Sequence, residues 1–361
     1  MPKEKIQMPP HGHKKKNALR LVAWETTRNC NLDCKHCRAS ATMGPYRDEL
    51  DTSAALRLLD QIAEVGEPII ILTGGEPLMR PDIFEIAAYG TSKGLRMVMA
   101  PNGTLITEQN ARLMAESGIK RISISLDGAT KEIHDNFRGV DGAFDGSLNG
   151  IRLAKKAGVE FQINTTISKQ NLDEIPKIFQ LAVELGAVAH HIFLLVPTGR
   201  GKYMIEQEIN AQEYEQTLNW FYDQRKNSPL QLKATCAPHY YRILRQRART
   251  DGEKVTFQTH GLDAVTRGCL GGIGFCFISH RGVVQPCGFL QTDSGNVTQT
   301  SFAEIWENSE VFKTLRNYDL LTGKCGPCEY RKVCGGCRAR AYEATGDMMA
   351  EEPLCIYQPQ T

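Results

Sequence analysis

The twelve cysteines of this sequence are the residues whose spacing points most directly to chemistry. Cys30, Cys34 and Cys37 form a C-x3-C-x2-C motif directly after the first predicted strand. Three thiolates on one short loop can hold three corners of a cube-shaped [4Fe–4S] cluster and leave the fourth iron open to another ligand. A structural zinc takes four protein ligands, and His36 is a poor fourth because adjacent residues rarely point at one metal. The motif therefore favours a catalytic iron–sulfur centre, with zinc or a disulfide as the alternatives.

A second group of cysteines lies towards the C-terminus. Its members are Cys269, Cys276, Cys287, Cys325, Cys328, Cys334, Cys337 and Cys355. Eight thiolates suit two four-thiolate iron–sulfur clusters. Two all-cysteine zinc sites need the same number, so the spacing alone leaves both metals open. Cys236 belongs to neither group and is expected to be a small hydrophobe, with a hydrogen donor or an additional ligand as the alternative.

Between residues 21 and 196 the sequence alternates strand and helix patterns. The predicted strands are 21–25, 69–72, 96–99, 122–126, 161–166 and 190–196. The predicted helices lie around 52–66, 81–93, 107–117, 145–157 and 172–186, followed by 211–226 and 238–249. This alternation predicts an α/β fold with a parallel sheet, either a partial (β/α)6 TIM-like barrel or a doubly wound sheet. We expect ligands at the carboxyl ends of the strands. The predicted domains are this unit at 21–226 and a smaller, loop-rich, Cys-rich module at 227–361.

Composition and charge exclude several classes of protein. The chain has 361 residues and a net charge of +2, without the basic excess of a nucleic-acid-binding protein. No segment approaches the ~20 consecutive apolar residues of a membrane span, and the N-terminus lacks the apolar core of a signal peptide. We therefore expect a cytoplasmic protein whose cysteines bind metal rather than form disulfides. Residues 1–20 are expected to form a flexible, solvated basic arm, with an anion-binding flap as the alternative.

Four further motifs, in order along the chain, resemble the radical S-adenosylmethionine (SAM) superfamily, whose first strand also leads into C-x3-C-x2-C. They are Gly74, Gly75, Glu76 and Pro77 (GGEP), 123–128 (SISLDG), 134–139 (HDNFRG) and Asn164 on the fifth strand. The resemblance implies that Glu76 and backbone carbonyls hold the SAM ammonium, and that Ser125 and Asp127 contact its ribose and methionine. It also implies that Arg138 pairs with the SAM carboxylate and that Asn164 is a further ribose contact. In this family the open iron binds SAM, and the reduced cluster cleaves SAM to a 5′-deoxyadenosyl radical.

The C-terminal cysteines resemble the SPASM extension of radical SAM enzymes, through the Gly282-x4-Cys287 element and the later quartet. The resemblance implies one or two auxiliary [4Fe–4S] clusters. The first would be held by Cys269, Cys276, Cys287 and Cys337, and the second by Cys325, Cys328, Cys334 and Cys355. The sequence departs from the pattern between Cys334 and Cys337, which are separated by two residues where three are commoner.

Over nearly the whole chain the sequence resembles one tetrapyrrole-modifying branch of the family, the heme b synthases, through segments 19–25, 30–40, 234–241 and 267–272. The resemblance implies that two propionates of iron-coproporphyrin III are oxidatively decarboxylated to vinyl groups, with a small electron-transfer protein as reductant. The candidate propionate partners are Arg242, Arg245 and Arg249 on one helical face, with Arg200 and Lys202 after the sixth strand. The candidate iron ligands are His190, His191, His239 and His260. A solvated basic helix and ordinary polar histidines are the alternative interpretations.

Other functions stay open on the sequence alone. A SPASM enzyme that modifies peptides or proteins needs a peptide groove and often a leader-binding domain, for which a 20-residue arm is short. An enzyme that removes acetate side chains from didecarboxysiroheme would share the tetrapyrrole chemistry. An electron-transfer or cluster-storage protein would not need the GGEP motif, and a zinc scaffold would be colourless. Cleavage of SAM by the reduced protein separates the enzymes from the last two.

Overall fold

All six predicted strands form in the computed structural model, which describes residues 18–360, and they belong to one sheet. They are β1 (Leu21–Thr27), β2 (Ile69–Gly74), β3 (Arg96–Met99), β4 (Arg121–Ser125), β5 (Glu160–Ile167) and β6 (Ala189–Leu194). Three more strands follow, β7 (Gln231–Thr235), β8 (Phe275–Ile278) and β9 (Val284–Gln285). The strand order is β7-β6-β5-β4-β3-β2-β1-β8-β9, and every pair is parallel except β8 with β9. Neighbours in space are thus neighbours in sequence from β1 to β7, which is the order of a partial barrel. A doubly wound sheet would show a point where the order reverses.

Helices connect the parallel strands, as crossovers in a parallel sheet require. They are α1 (Thr52–Val65), α2 (Ile83–Ser92), α3 (Glu108–Glu116), α4 (Lys131–Arg138), α5 (Ala143–Lys156), α6 (Ile175–Leu185) and α7 (Ala211–Gln224). The later helices are α8 (His239–Thr250), α9 (Phe257–His260), α10 (Leu262–Val265), α11 (Phe302–Asn308), α12 (Glu310–Arg316) and α13 (Arg338–Thr345). The side chains of Asp51 and Thr107 cap α1 and α3. Helix α4 was not predicted, because its eight residues carry only the motif that resembles a SAM contact.

The two faces of the sheet have different surroundings. Ile70 and Leu72 of β2 are fully buried in the main hydrophobic core, whereas Ile71 and Thr73 between them are half-buried. This alternation follows from the two-residue period of a strand, which sends successive side chains to opposite faces. One face therefore packs against the helices, and the other forms a concave surface that is left for ligands.

The sheet continues beyond the predicted domain boundary at residue 226. Strand β7 pairs with β6 at one edge, and β8 pairs with β1 at the other. The N-terminal boundary also differs from the prediction, since the Arg20 N–H donates to the Gly274 carbonyl and Leu19 is buried. Residues 1–17 of the predicted arm lie outside the described residues. Within the described part of the chain, no helix has the length and apolar character needed to cross a membrane.

Candidate active site

The first three cysteines lie in the loop that leaves β1, at the carboxyl end of the sheet. Cys30 and Cys34 are buried, and Cys37 is half-buried. The Leu32 N–H donates to Cys30 Sγ at 3.4 Å, and the Ala41 N–H donates to Cys37 Sγ at 3.4 Å. Such hydrogen bonds favour the thiolate, the form that binds iron. Burial raises the pKa of the Cys30 thiol to about 12. The thiol therefore keeps its proton until a metal binds and displaces it.

Arg200, one of the predicted propionate partners, instead holds this loop. Its guanidinium donates to the Cys34 carbonyl at 2.8 Å and to the Ala41 carbonyl at 2.7 Å. Lys202 is exposed and pairs with Glu343 at 3.2 Å. Arg200 therefore positions the cluster loop, because a bidentate guanidinium fixes two turns of the loop at once.

The GGEP turn packs against the same loop. Gly74 ends β2, and Pro77 begins a short 3-10 turn. The Gly75 N–H donates to the Thr27 carbonyl at 2.8 Å. A Cβ on Gly75 would collide with the Asn29 carbonyl, so only glycine permits this close backbone approach. The motif is thereby held one residue from the first cysteine.

Glu76 is fully buried and faces two backbone donors. Its carboxylate accepts the Leu78 N–H at 3.0 Å and the Asn102 N–H at 2.6 Å. Burial raises its pKa to about 7, against the effect of these two hydrogen bonds. An ionised carboxylate has about four acceptor positions, so it can also accept the ammonium that the resemblance assigns to it.

Asp127 and Arg138 form a buried ion pair beside Cys34. Asp127 Oδ1 also accepts the Thr166 N–H at 2.7 Å, and the guanidinium donates to Cys34 Sγ at 3.6 Å. Burial works against the charge of Arg138, but Asp127 and Cys34 raise the guanidinium pKa above its ordinary value. Arg138 Nε is buried and has no hydrogen-bond partner within the described part of the chain. The pair thus anchors a cluster cysteine and keeps one donor for a carboxylate such as that of SAM.

A polar row crosses the concave face of the sheet. Ser125, Asn164, His191 and Lys233 are paired in register on β4, β5, β6 and β7, and all four are half-buried. His191 Nδ1 lies 3.0 Å from Gln162 Nε2. Burial, followed by the charge of Lys233, lowers the pKa of His191 well below its ordinary value. The neutral ring therefore suits a hydrogen bond or a metal on its other nitrogen.

The other three candidate histidines lie off this face. His190 points towards α6 and bonds the Thr165 hydroxyl at 2.9 Å. His260 is buried with its Nδ1 2.7 Å from the Thr259 hydroxyl. His239 is buried, and neither of its ring nitrogens has a hydrogen-bond partner among residues 18–360. Of the four histidines, only His191 is in place to meet a ligand of the concave face.

The second predicted set of auxiliary cysteines lines one cavity. These cysteines are Cys325, Cys328, Cys334 and Cys355. Arg242 lines the same cavity and is bound by Glu215 at 2.8 and 2.5 Å, with Tyr357 stacked 5.1 Å away. Arg245 is half-buried and Arg249 exposed. The hypothesis of one propionate-binding face formed by the three arginines is therefore wrong, because the helix buries Arg242 against the cysteines.

The first predicted auxiliary set is brought together only in part. Cys287 packs against the apolar cluster that contains Cys337. Cys236 packs against the same cluster. Burial raises the pKa of its thiol, and the nearby thiols of Cys337, Cys287 and Cys269 raise it further. Cys276 instead lies in β8, fully buried in the main core, and no described cysteine acts on its thiol. The structure thus places Cys236, not Cys276, beside the other three.

The donor sets fit iron–sulfur clusters. All twelve cysteines are free thiols, so none is committed to a disulfide. No group of three or more described His, Cys, Asp or Glu side chains is arranged to hold a single metal ion. Sets of three or four thiols without other ligands are the donors that iron–sulfur clusters take.

One ion-pair network, which was not predicted, connects the first cysteine loop with residues 277–288 of the C-terminal module. Glu25 on β1 accepts from Arg38 and from His280 Nδ1, each at 2.6 Å. These two partners outweigh burial and lower the pKa of Glu25 to about 2. Arg38 also lies over the Phe277 ring at 4.3 Å and fills the space beside Gly288. The sequence signal for this network was Glu25 itself, an acidic residue within the otherwise uncharged strand β1.

Comparison with known proteins assigns the family. Residues 24–182 match the model of the radical SAM superfamily, and residues 269–338 match that of an iron–sulfur cluster-binding domain, SPASM. The AdoMet-dependent heme synthase of Nitratidesulfovibrio vulgaris is 60% identical over 94% of this chain and 93% of that protein. The enzyme of the same name from Methanosarcina barkeri is 56% identical over 95% of this chain and 98% of its own length. The chain belongs to the family of AdoMet-dependent heme synthases. It is a radical SAM enzyme with a SPASM domain.

More distant relatives share the architecture of this radical SAM enzyme. The Fe-coproporphyrin III synthase of Methanosarcina barkeri is 34% identical over 93% of this chain and 87% of that protein. Among solved structures, Streptococcus suis SuiB bound to S-adenosylmethionine matches with a TM-score of 0.74 and 17% identity, over 94% of this chain and 78% of that one. This likeness confirms the α/β fold with a parallel sheet, and the family model confirms the SPASM domain. The SPASM assignment also decides between zinc and iron–sulfur at the C-terminal cysteines.

Proposed function

We propose that this enzyme converts iron-coproporphyrin III to heme b by oxidative decarboxylation of two propionates. The observation that carries the proposal is the near-full-length similarity to AdoMet-dependent heme synthases, which exceeds the similarity to the Fe-coproporphyrin III synthase. The product in that second name is the substrate proposed here, so the two names fit consecutive steps on one tetrapyrrole.

The reaction balances at the substrate. Each propionate, –CH2–CH2–COO⁻, becomes a vinyl group when it loses a hydrogen atom from its β-carbon, carbon dioxide and one electron. When bound, the SAM-ligated cluster supplies the radical that takes the hydrogen atom, and an auxiliary cluster accepts the electron. In this proposal Cys30, Cys34 and Cys37 hold the first cluster, while Glu76 and Arg138 orient the two ends of the methionine group of SAM.

The concave face carries groups on β6 and β7 that suit a tetracarboxylate with a central iron. Burial raises the pKa of Asp263, and the charges of Arg225, Lys233 and Arg245 act in the opposite direction, so these three cations lie near one carboxylate. This excess of cations favours anionic side chains of a ligand. His191 adds a neutral imidazole, the form that binds iron. We propose Lys233 and Arg245 as propionate partners and His191 as a contact to the porphyrin iron.

The chemistry of the clusters also indicates the compartment and the reductant that the enzyme needs. An iron with an open position is easily oxidised, so we infer an anaerobic, reducing cytoplasm, in keeping with twelve free thiols. A small electron-transfer protein is the proposed reductant. We propose 21–226 and 227–361 as functional units, although the sheet runs through both.

An anaerobic assay with iron-reconstituted enzyme, SAM, a reductant and iron-coproporphyrin III tests the proposal. We expect loss of two carboxyl groups and two hydrogens per porphyrin, with two 5′-deoxyadenosines per heme. Formation of 5′-deoxyadenosine with an unchanged porphyrin would reject the substrate and retain the family. Lys233→Gln should raise KM for the porphyrin by about 10- to 150-fold, since a hydrogen bond to a charged group contributes about 1.5–3 kcal/mol. Lys202→Gln is the matched control at an exposed lysine and should leave KM unchanged.

A further inference from the structure

We propose that Cys236 is the fourth thiolate of the first auxiliary cluster, together with Cys269, Cys287 and Cys337, and that Cys276 is a residue of the hydrophobic core. The proposal goes beyond the function proposed above, because it concerns how this chain completes a cluster rather than which substrate it takes. It also departs from the ligand set that the resemblance to SPASM enzymes implied, in which Cys276 takes the place of Cys236.

The chain segments of Cys236 and Cys269 are in direct contact. A Cβ on Gly268, the residue before Cys269, would lie 2.6 Å from Pro238 Cα. The Cys269 N–H in turn donates to the Cys334 carbonyl at 3.3 Å. This contact brings two cysteines that are 33 positions apart in the sequence into one neighbourhood. Spacing could not reveal it, because the approach depends on the path of the chain between β7 and α8.

The backbone at Cys236 is held in an unusual conformation. Its φ is +55°, and it is one of two described non-glycine residues with a positive φ. Its carbonyl accepts the Tyr214 hydroxyl at 3.0 Å and two N–H groups of the Arg340 guanidinium, each at 3.4 Å. A left-handed conformation costs a residue with a Cβ about 1–3 kcal/mol, and it persists where surrounding contacts impose it. These contacts hold the backbone from which the Cys236 side chain projects, a constraint that a core cysteine does not need.

The same buried network also holds Cys337. Arg340 donates to Glu352 Oε1 at 3.2 Å, and the Cys337 N–H donates to Glu352 Oε2 at 2.6 Å. Arg340 and Glu352 are 2% and 1% exposed. One ion pair thus positions the Cys236 carbonyl and the Cys337 amide at once. Outer hydrogen bonds that orient the ligands are a common feature of metal sites.

Cys276 has the surroundings of a structural residue. It is 0% exposed and stands in register with Val22 of β1. It belongs to the apolar core that also contains Trp24 and Phe312. A free cysteine in such a place behaves as a small hydrophobe.

The test compares Cys236→Ala with Cys276→Ala in the full-length, anaerobically reconstituted enzyme. Iron and acid-labile sulfide per chain and the EPR spectrum of the reduced protein are measured without porphyrin, so the result does not depend on the proposed substrate. We expect Cys236→Ala to lose iron and the signal of one auxiliary cluster, while the SAM-responsive signal of the first cluster remains as a folding control. We expect Cys276→Ala to keep the full iron content and spectrum, with a lower melting temperature.

Wild-type iron content and spectrum in Cys236→Ala, or loss of an auxiliary signal in Cys276→Ala, would overturn the proposal. If Cys236→Ala also loses the SAM-responsive signal, Cys236→Ser decides the question, because its hydroxyl can replace the thiolate. A shifted auxiliary signal with retained iron in that variant supports ligation by residue 236, and an unchanged spectrum refutes it.

Discussion

Glu76 allows a quantitative test of the SAM site through pH. Its pKa is raised from 4.5 to about 7 by burial, so the folded state binds this proton more tightly than the unfolded state. The stability from this difference is therefore present below pH 4.5 and is lost as the pH rises through about 7. At about 1.4 kcal/mol per pKa unit, the shift corresponds to about 3 kcal/mol. An ionised Glu76 without a cationic partner is thus costly, and the SAM ammonium would offset that cost.

This cost predicts how SAM affinity depends on pH. If only ionised Glu76 binds SAM, the apparent Kd rises as the ionised fraction falls. With a pKa of about 7, the apparent Kd for SAM is about tenfold higher at pH 6 than at pH 8. Glu76→Gln removes this dependence. The variant also weakens binding at pH 8, because an amide can accept only one of the two N–H groups, from Leu78 and Asn102, that the carboxylate accepts.

Anaerobic equilibrium dialysis of cluster-loaded protein with radiolabelled SAM would measure both effects. The titration of the SAM amino group affects every variant equally, so the ratio of the Kd of Glu76→Gln to that of wild type isolates Glu76. Glu49→Gln is the matched control, since Glu49 also accepts a backbone N–H beside the cysteine loop, from Arg28 at 2.7 Å. A Kd ratio that stays constant between pH 6 and 8 would refute the assignment of the ammonium to Glu76.

Three further variants, with Glu160→Gln as a control, test the supports of the cluster loop. Asp127→Asn should lower the free energy of unfolding by about 3–5 kcal/mol, because it leaves a buried arginine unpaired. Glu160→Gln, at an exposed pair, should lower it by less than about 1 kcal/mol; equal losses in anaerobic urea titrations would contradict the difference in burial. Gly75→Ala should abolish 5′-deoxyadenosine formation, since its Cβ meets the Asn29 carbonyl, and wild-type turnover would show that the turn adapts. Arg200→Ala should reduce the iron retained by the first cluster, measured after gel filtration, and full retention would show that the loop needs no such support.

Much of this protein could be predicted from local sequence. The six strands and the helices between them lie within a few residues of their predicted positions, because apolar periodicity and capping residues act over short distances. The C-x3-C-x2-C and GGEP motifs were recognisable because their residues stand close together in the chain, and the quartet from Cys325 to Cys355, which the resemblance to SPASM enzymes implied, does line one cavity. Local signals of this kind do not depend on how distant segments meet.

The tertiary structure decided what depends on distant segments. Whether Cys236 or Cys276 completes a cluster follows from where β7 and β8 join the sheet, at its opposite edges. The role of Arg242 followed from the side of α8 that packs on the cysteine cavity, and that of Arg200 from the loop it reaches. A thiol or a guanidinium has the same chemistry in a core, a salt bridge or a metal site, so only its neighbours in space determine which of these it serves.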